Sequence, residues 1–400
     1  RRRKKLAATV LSMTSARASK SCATTGRRFS FPATLPPSLQ SVSSPTYTKQ
    51  EQEPASEKVT EVADGVLRMQ LPISLPGLGH VNCYALVDGD GVALVDPGLP
   101  GPESWNALMA RLKQAEIPVE RVHTVVVTHS HPDHFGGSAQ LREVAGADVL
   151  THEAFTSFTA EANDDLEPLI ADMTEAEIVD LWKERFKQFG ETPWGTRREP
   201  PPDHAIIRMI QADAGGQRFL SPEATIRVAD GDPLHFAGRE WFAMHTPGHT
   251  IDHLCLWDPT NGVLLSGDHV LPTITPHIAG STAVDDPLAT FFASLDRVAA
   301  LEGLTTVLPA HGHPFEDCQG RCGFIKEHHH DRLQLLRDAA RGTGDAPVTE
   351  WMKVLFRERS WGDMAASETF AHLEHLRLAG EAVTHRDDDG LLYFELSDAG

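Results

Sequence analysis

The chain has 400 residues and a formal net charge of −20, unevenly spread: residues 1–50 carry ten Lys/Arg and no Asp or Glu. The other 26 basic and 56 acidic side chains give residues 51–400 a charge of −30, which repels a phosphate backbone and argues against nucleic acid as a partner. Five cysteines are too few, and odd in number, for a disulfide framework, and no stretch of about 18 apolar residues is present to span a membrane. The length allows one large domain with a small one, or two medium ones.

In chain order, residues 1–57 lack periodicity and read as a disordered tail. Arg-rich, Ser/Thr-rich and free of acids over its first 50 residues, the tail also fits an organellar (plastid or mitochondrial) transit peptide; otherwise the protein is expected in the cytoplasm. Order is expected from near Val59. Apolar runs at 59–62, 66–71, 83–87 and 92–95 predict strands, the last two joined by the hairpin signal Asp88-Gly89-Asp90-Gly91. Trp105, Leu108, Met109 and Leu112 follow helix spacing, 122–127 predicts a buried strand, and 135–144 a single helix.

Residues 153–222 read as a helical insertion, with helices at 154–162 and 174–189, broken by prolines. Trp182, Phe186, Phe189 and Trp194 within it suit either an apolar pocket wall or a packed core. Strands resume at 225–228, 240–245, 253–257 and 263–266, followed by a helix at 287–301, a strand at 306–308 and a helix at 324–340. The end of the chain reads as a separate module: helices at 348–356 and 367–379, then a hairpin of 382–386 and 391–396. Helices followed by a β-hairpin describe a winged helix. The expected domains are therefore a tail at 1–57, a large domain at 58–345 and a winged-helix domain at 346–400.

The chemistry concentrates in VVVTHSHPDHFGG, residues 125–137. A hydrophobic strand runs directly into His129, His131, Asp133 and His134, where Pro132 favours the start of a helix. In extended backbone His129 and His131 share one face, while Asp133 and His134 sit on the turn. Imidazole and carboxylate are the ligands of a borderline metal such as zinc, and packing four such groups without one leaves charges and polar atoms uncompensated. Four further junctions each place a His or Asp just after a strand: Asp96, His249 in Thr246-Pro247-Gly248-His249, Asp268 in Ser266-Gly267-Asp268, and His311 in Leu308-Pro309-Ala310-His311. Gly248 permits a sharp turn that presents His249. His269, His277 and the run His328-His329-His330 are candidates for lining a cleft, and His269 leads because it adjoins Asp268. Cys318 and Cys322 have helix spacing and suit either two thiols on a helix face or a metal pair.

With Asp96, the HxHxDH block from His129, His249, Asp268 and His311 in this order, residues 59–330 resemble the metallo-β-lactamase superfamily. The resemblance implies an α/β (α+β) fold: an αββα sandwich of two sheets with helices outside. It assigns His129, His131 and His249 to one metal, Asp133, His134 and His311 to a second, and Asp268 to both. Asp96 then stands behind the ligands and orients them. The full motif with Asp268 resembles the hydrolase branch and departs from true β-lactamases. The segment 269–277 resembles glyoxalase-like hydrolases, and the C-terminal segment the winged helix of some relatives, a few of them endoribonucleases.

The resemblance implies a dinuclear hydrolase of a small-molecule ester or thioester, with zinc the default pair of ions and iron or manganese open. Asp133 and Asp268 carry the catalytic expectation, since two cations a few ångströms apart lower the pKa of a water held between them. The basic pattern that binds glutathione in hydroxyacylglutathione hydrolases is not found. An RNA-cleaving phosphodiesterase is the second expectation, disfavoured by five Lys/Arg against twelve Asp/Glu in residues 345–400. A non-hydrolytic metal-binding or diiron redox protein is the third. The C-terminal module suits a lid or the contact of a homodimer.

Overall fold

The computed structural model describes residues 49–397 apart from 76, 90, 157–172, 201, 205, 208–221 and 281–283. Seven strands form a first sheet in chain order: β1 (Thr60–Ala63), β2 (Val66–Leu75), β3 (Leu78–Val87), β4 (Val92–Val95), β5 (Val122–Val126), β6 (Asp148–His152) and β7 (Ile226–Val228). The second sheet has the order β12-β11-β10-β9-β8, from β8 (Pro233–Phe236), β9 (Arg239–His245), β10 (Leu254–Asp258), β11 (Val263–Gly267) and β12 (Thr306–Pro309). A third sheet of β13 (Ala346–Pro347), β14 (Ala382–Arg386) and β15 (Leu392–Leu396) closes the chain. The described helices are α1 (Pro102–Gln114), α2 (Pro132–Phe135), α3 (Ser138–Ala145), α4 (Glu175–Phe189), α5 (Pro287–Ala299), α6 (Cys318–Thr343), α7 (Val348–Leu355) and α8 (Asp363–Leu378).

Three apolar clusters reveal the layers. Leu108 and Leu112 of α1 and Leu141 of α3 pack on one face of the first sheet, through Cys83, Leu94 and Val125. The alternate residues of the same strands, Tyr84, Leu86, Val95 and Val126, meet Trp241, Leu254 and Leu265 of the second sheet. The period-2 alternation of strands divides the residues between these two interfaces. The other face of the second sheet is covered by α5 and α6, and that cluster runs on without a break to Val348, Trp351, Leu373 and Phe394. The αββα sandwich is thus present.

Turn chemistry sets the register. The β3–β4 hairpin closes on Asp88, whose carboxylate accepts from Gly91 N at 2.9 Å. Buried Asp258 organises the β10–β11 turn by accepting from the backbone N of Thr260 and Asn261, each at 3.0 Å. Chain direction matters more for function. β4 and β5 are parallel, as are β11 and β12, so the loops leaving each pair emerge at the same sheet edge.

Four expectations need correction. Order begins before Val59: Gln50–Gln52 is a 3-10 helix, and Glu51 is wholly buried. A lone acid carries no apolar periodicity, so no pattern marks the contact. The helix expected at 135–144 is two, α2 and α3, separated at Gly136, whose backbone N donates to Gly98 O at 2.7 Å. The strands β6, β8 and the two-residue β13 are additional to those expected, being short and, in β8, half exposed. The pairing of Leu75 with Leu78 extends β2 and β3 well beyond the predicted runs.

The expected helix at 154–162 lies mostly outside the described residues, as do residues 1–48 with the transit-peptide expectation. The helix expected at 174–189 is α4, begun by a capping box in which Thr174 and Glu177 satisfy each other's backbone N–H. Trp194 is core: it is 1% exposed and its ring lies 5.3 Å from that of Phe370 on α8. Trp182 and Phe186 are half-buried. No described helix is long and apolar enough to cross a membrane.

Candidate metal centre

Each predicted ligand follows the C-terminal end of a strand: His129 after β5, His249 after β9, Asp268 after β11 and His311 after β12. Parallel pairing places neighbours side by side. Asp96 N, just beyond β4, donates to Val126 O, and Ala310 N, just beyond β12, to Gly267 O. The two sheets are tied at this edge by Leu254 N to Thr128 O at 2.8 Å and Asn82 N to Ala310 O at 2.6 Å. The segment holding His131, Asp133 and His134 is the entry to the single-turn helix α2.

The seven predicted ligands converge. His129 Nε2 lies 2.9 Å from His131 Nδ1, and His249 Nε2 lies 3.1 Å from the same atom. The outer nitrogens of two of these rings are committed as donors: His129 Nδ1 to Thr128 Oγ1 at 3.1 Å and His249 Nδ1 to the carbonyl of His277 at 2.7 Å. Their inner nitrogens therefore present lone pairs to His131 Nδ1, whose single proton can serve only one. Converging lone pairs fit a cation. Nitrogens bound tetrahedrally at zinc distances would lie about 3.3 Å apart, close to the spacing seen.

The second group forms beside it. Asp133 Oδ2 is 3.6 Å from His134 Nε2 and 3.5 Å from His311 Nε2. Asp268 stands between the groups, with Oδ2 3.6 Å from His249 Nε2 and 3.7 Å from His134 Nε2, and Oδ1 3.3 Å from His311 Nε2. His134 Nε2, His311 Nε2 and Asp268 Oδ1 are buried without a hydrogen-bond partner, a costly arrangement that a metal would relieve. The residue sets His129/His131/His249, His129/His134/Asp268 and Asp133/His134/His311 each bring their ligand atoms close enough to share an ion.

Electrostatics divides the rings. Burial, reinforced by neighbouring imidazoles, holds His129 and His131 well below the ordinary histidine value, and burial also lowers His249. These three keep lone pairs free at neutral pH. Burial likewise opposes charge on His134, but Asp133, Asp96 and Asp268 outweigh it and raise the ring well above the ordinary value. His311 is raised in the same way, burial being overcome by Asp268 and Asp133. Burial works against ionised Asp268 too, yet His311 and His134 bring it well below the carboxylate range. The carboxylates thus create a locally negative field at His134 and His311, one that favours a positive charge there.

Behind the ligands, Asp96 stands as the sequence suggested. His134 Nδ1 donates to its Oδ2 at 2.9 Å, and Thr128 donates to it from both backbone N and hydroxyl, at 2.9 and 2.8 Å. Other supports go beyond the sequence reading. His311 Nδ1 donates to the carbonyl of His80 at 2.6 Å; His80 in turn donates to Glu53 O and accepts from Gly312 N. His253 Nε2 accepts from Asp268 N at 3.0 Å. Asn82 donates to the carbonyls of Pro309 and Gly312, and Tyr84 to that of Pro309. His80, Asn82 and Tyr84 alternate along β3, a polar face that becomes legible only when the strand is taken to start five residues before Cys83.

The cleft histidines fare differently. His269 is fully buried, its ring edge-on to Phe291 at 5.2 Å and near His253. It packs behind the ligands rather than lining an open pocket, because the chain turns inward after Asp268, with His269 N bonded to Ser266 O. Burial lowers its pKa to about 3. His329 is also buried, between α6 and α8, while His328 is half-buried and His330 exposed. His277 reaches the site through its backbone. Cys318 and Cys322 are buried free thiols.

Comparison with known proteins places this geometry. The family model described as the metallo-beta-lactamase superfamily matches residues 76–311, a span that contains all seven predicted ligands. "Probable metallo-hydrolase YqjP" of Bacillus subtilis is 26% identical over 346 residues, covering 83% of this chain and 98% of the relative. A hydroxyacylglutathione hydrolase of Idiomarina loihiensis is 30% identical over 155 residues, or 38% of this chain and 58% of the relative. A metallo-beta-lactamase family protein from Thermus thermophilus superposes with a TM-score of 0.64 at 27% identity, over 84% of this chain and 100% of that one. A beta-lactamase domain protein from Burkholderia ambifaria gives 0.63 at 26%, over 86% and 96%. With more than half of its length matched, and the ligand set and sandwich in place, the chain belongs to the metallo-beta-lactamase superfamily.

Proposed function

We propose that the protein is a hydrolase that holds two divalent metal ions and cleaves an ester or thioester of a small molecule. The observation that carries this reading is the position of Asp268, whose two oxygens face both ligand groups at 3.3–3.7 Å. His129, His131 and His249 would hold one ion, and Asp133, His134 and His311 the other, with Asp268 shared. Zinc suits this nitrogen and oxygen set, and iron or manganese would also be accepted. When bound, such ions make water nucleophilic near neutral pH and polarise an electrophilic oxygen.

The chain's own groups prepare that chemistry. Burial keeps the first three imidazoles neutral and ready to bind. Asp133 and Asp268 bring the negative charge that draws cations into an interior edge, and as hydrogen-bond acceptors they orient a water. Asp96, Thr128 and His253 hold the ligand atoms so that little reorganisation is needed. The acidic body favours a small substrate over a polyanion, and the partial likeness to a hydroxyacylglutathione hydrolase supports the thioester choice.

The test is turnover by metal-loaded protein of S-lactoylglutathione and p-nitrophenyl acetate, with Asp268→Ala as control. Hydrolysis of either that is lost in the variant supports the proposal. No turnover of these two, but cleavage of bis(p-nitrophenyl) phosphate or RNA, would move the protein to the phosphodiesterases. Two bound metals with no hydrolysis of any of the four would overturn a hydrolytic role.

A further inference from the structure

The segment between Asp268 and α5 provides the backbone carbonyl that orients a ligand: His249 Nδ1 donates to His277 O at 2.7 Å. That segment has no strand or helix of its own from His269 to Gly280, so its position must come from what it touches. Glu51 holds it at Thr273 and Ile274, and the C-terminal helices supply the contacts on either side of His277. Arg321 of α6 donates to the carbonyls of Leu271 and Ile274, and the Ser367 hydroxyl of α8 accepts from Gly280 N at 2.9 Å. Gly280 lies so close to α8 that a Cβ there would be 2.5 Å from Ser367 O. His375 of α8 binds Asp286 at the start of α5 at 3.0 Å.

The contact nearest the ligand is the His277 ring itself. Its Nδ1 lies 3.2 Å from Glu368 Oε2, and the other carboxylate oxygen of Glu368 lies 3.4 Å from Arg332 Nη1. Glu368 is 8% exposed on a helix buried along most of its length. Burial opposes its charge, but His277 and Arg332 hold the carboxyl well below its ordinary range. A nearly buried carboxylate held by one hydrogen bond and one ion pair is a rigid anchor. The path from α8 to the metal edge therefore has three short links: Glu368 to the His277 ring, the ring to its own carbonyl, and that carbonyl to His249.

We propose that Glu368 is a positioning residue for the ligand His249, acting through His277, so that the C-terminal helix sets metal affinity at the His129/His131/His249 group. The proposal rests on the metal-binding role of those three histidines. It gives the C-terminal segment a task within the site, beyond closing the core.

Cobalt(II) titrated into the metal-free full-length protein, followed by its visible d–d absorbance, tests this. His277→Leu leaves the Glu368–Arg332 pair intact and keeps the fold measurable even where Glu368→Ala, which strands Arg332, destabilises it. The expected result is an affinity about 10–100-fold lower in each single variant, an altered cobalt spectrum, and a double variant no weaker than the weaker single. Wild-type affinity and spectrum in folded His277→Leu, or losses that add in the double variant, would overturn the relay alone. Failure of the unmodified protein to bind cobalt would overturn the metal assignment together with it.

Discussion

The carboxylate of Asp96 accepts the Nδ1 proton of His134 at 2.9 Å and thereby turns Nε2 of that ring toward Asp133 and Asp268. The same carboxylate fixes Thr128, which in turn accepts from His129. One side chain thus sets the orientation of a ring in each ligand group. Asp96→Asn substitutes a donor for one acceptor that already serves two donors. Metal affinity is expected to fall about 10–100-fold, with turnover falling in parallel. Metal content after dialysis against a graded chelator measures it; full retention at wild-type chelator concentrations would contradict this role.

Glu51 makes the N-terminal segment part of the folded body. Its buried carboxylate accepts from Thr273 N at 2.8 Å, from Ile274 N at 3.1 Å and from the Thr273 hydroxyl. Two residues on, the Glu53 carbonyl holds His80, which supports His311. Glu51→Ala leaves two half-buried amide donors without their carboxylate partner, a loss of about 2–3 kcal/mol. Chains starting at 48 and at 58 are expected to differ by at least that amount in urea denaturation. Equal stabilities would show that the clip contributes nothing.

The sandwich, and the convergence of the seven predicted ligands at one sheet edge, were legible because they depend on local signals that the fold preserves. A hydrophobic strand ends, a His or Asp follows, and parallel pairing brings the ends together. Glu51, His80, His253 and Glu368 were not legible. Each acts on a residue between 15 and 231 positions away through side-chain or carbonyl hydrogen bonds, and no periodicity marks such a contact. His269 misled for a related reason: adjacency to Asp268 in sequence says nothing about direction once the chain turns into the core.

Gly248 is required by shape on both counts. Its φ of +143° is rarely adopted by residues with a side chain, and an added Cβ would lie 2.5 Å from Phe291 Cβ and 2.6 Å from its Cα. Gly248→Ala should displace His249 and cost about 1–3 kcal/mol. Because the obstruction includes the Phe291 backbone, Phe291→Ala should not restore metal binding to the Gly248→Ala protein. Metal stoichiometry of the single and double variants decides the matter. Recovery in the double variant would show that ring crowding, not backbone geometry, is the constraint.

Acid lability should follow from the histidine pair that joins α6 and α8. His329 Nδ1 and His372 Nε2 are 3.1 Å apart and buried. Burial, aided in His329 by the neighbouring ring, lowers His329 to about 2, and burial lowers His372 to about 4, against an ordinary 6.5. A folded value below the unfolded one means that the unfolded chain takes up the proton first as pH falls. The stabilisation is therefore complete above 6.5 and is lost on acidification, by about 1.4 kcal/mol per pH unit for each histidine. Between pH 6 and 4.5 both rings act together. His329→Leu removes one of them and should make the fall in unfolding free energy shallower by about 1.4 kcal/mol per pH unit. Chemical denaturation of both proteins in excess chelator makes the comparison, since the titration of the metal-free ligands is then common to both and cancels. Identical slopes would mean that His329 already carries its proton in the folded protein, and that the buried pair is charged rather than neutral.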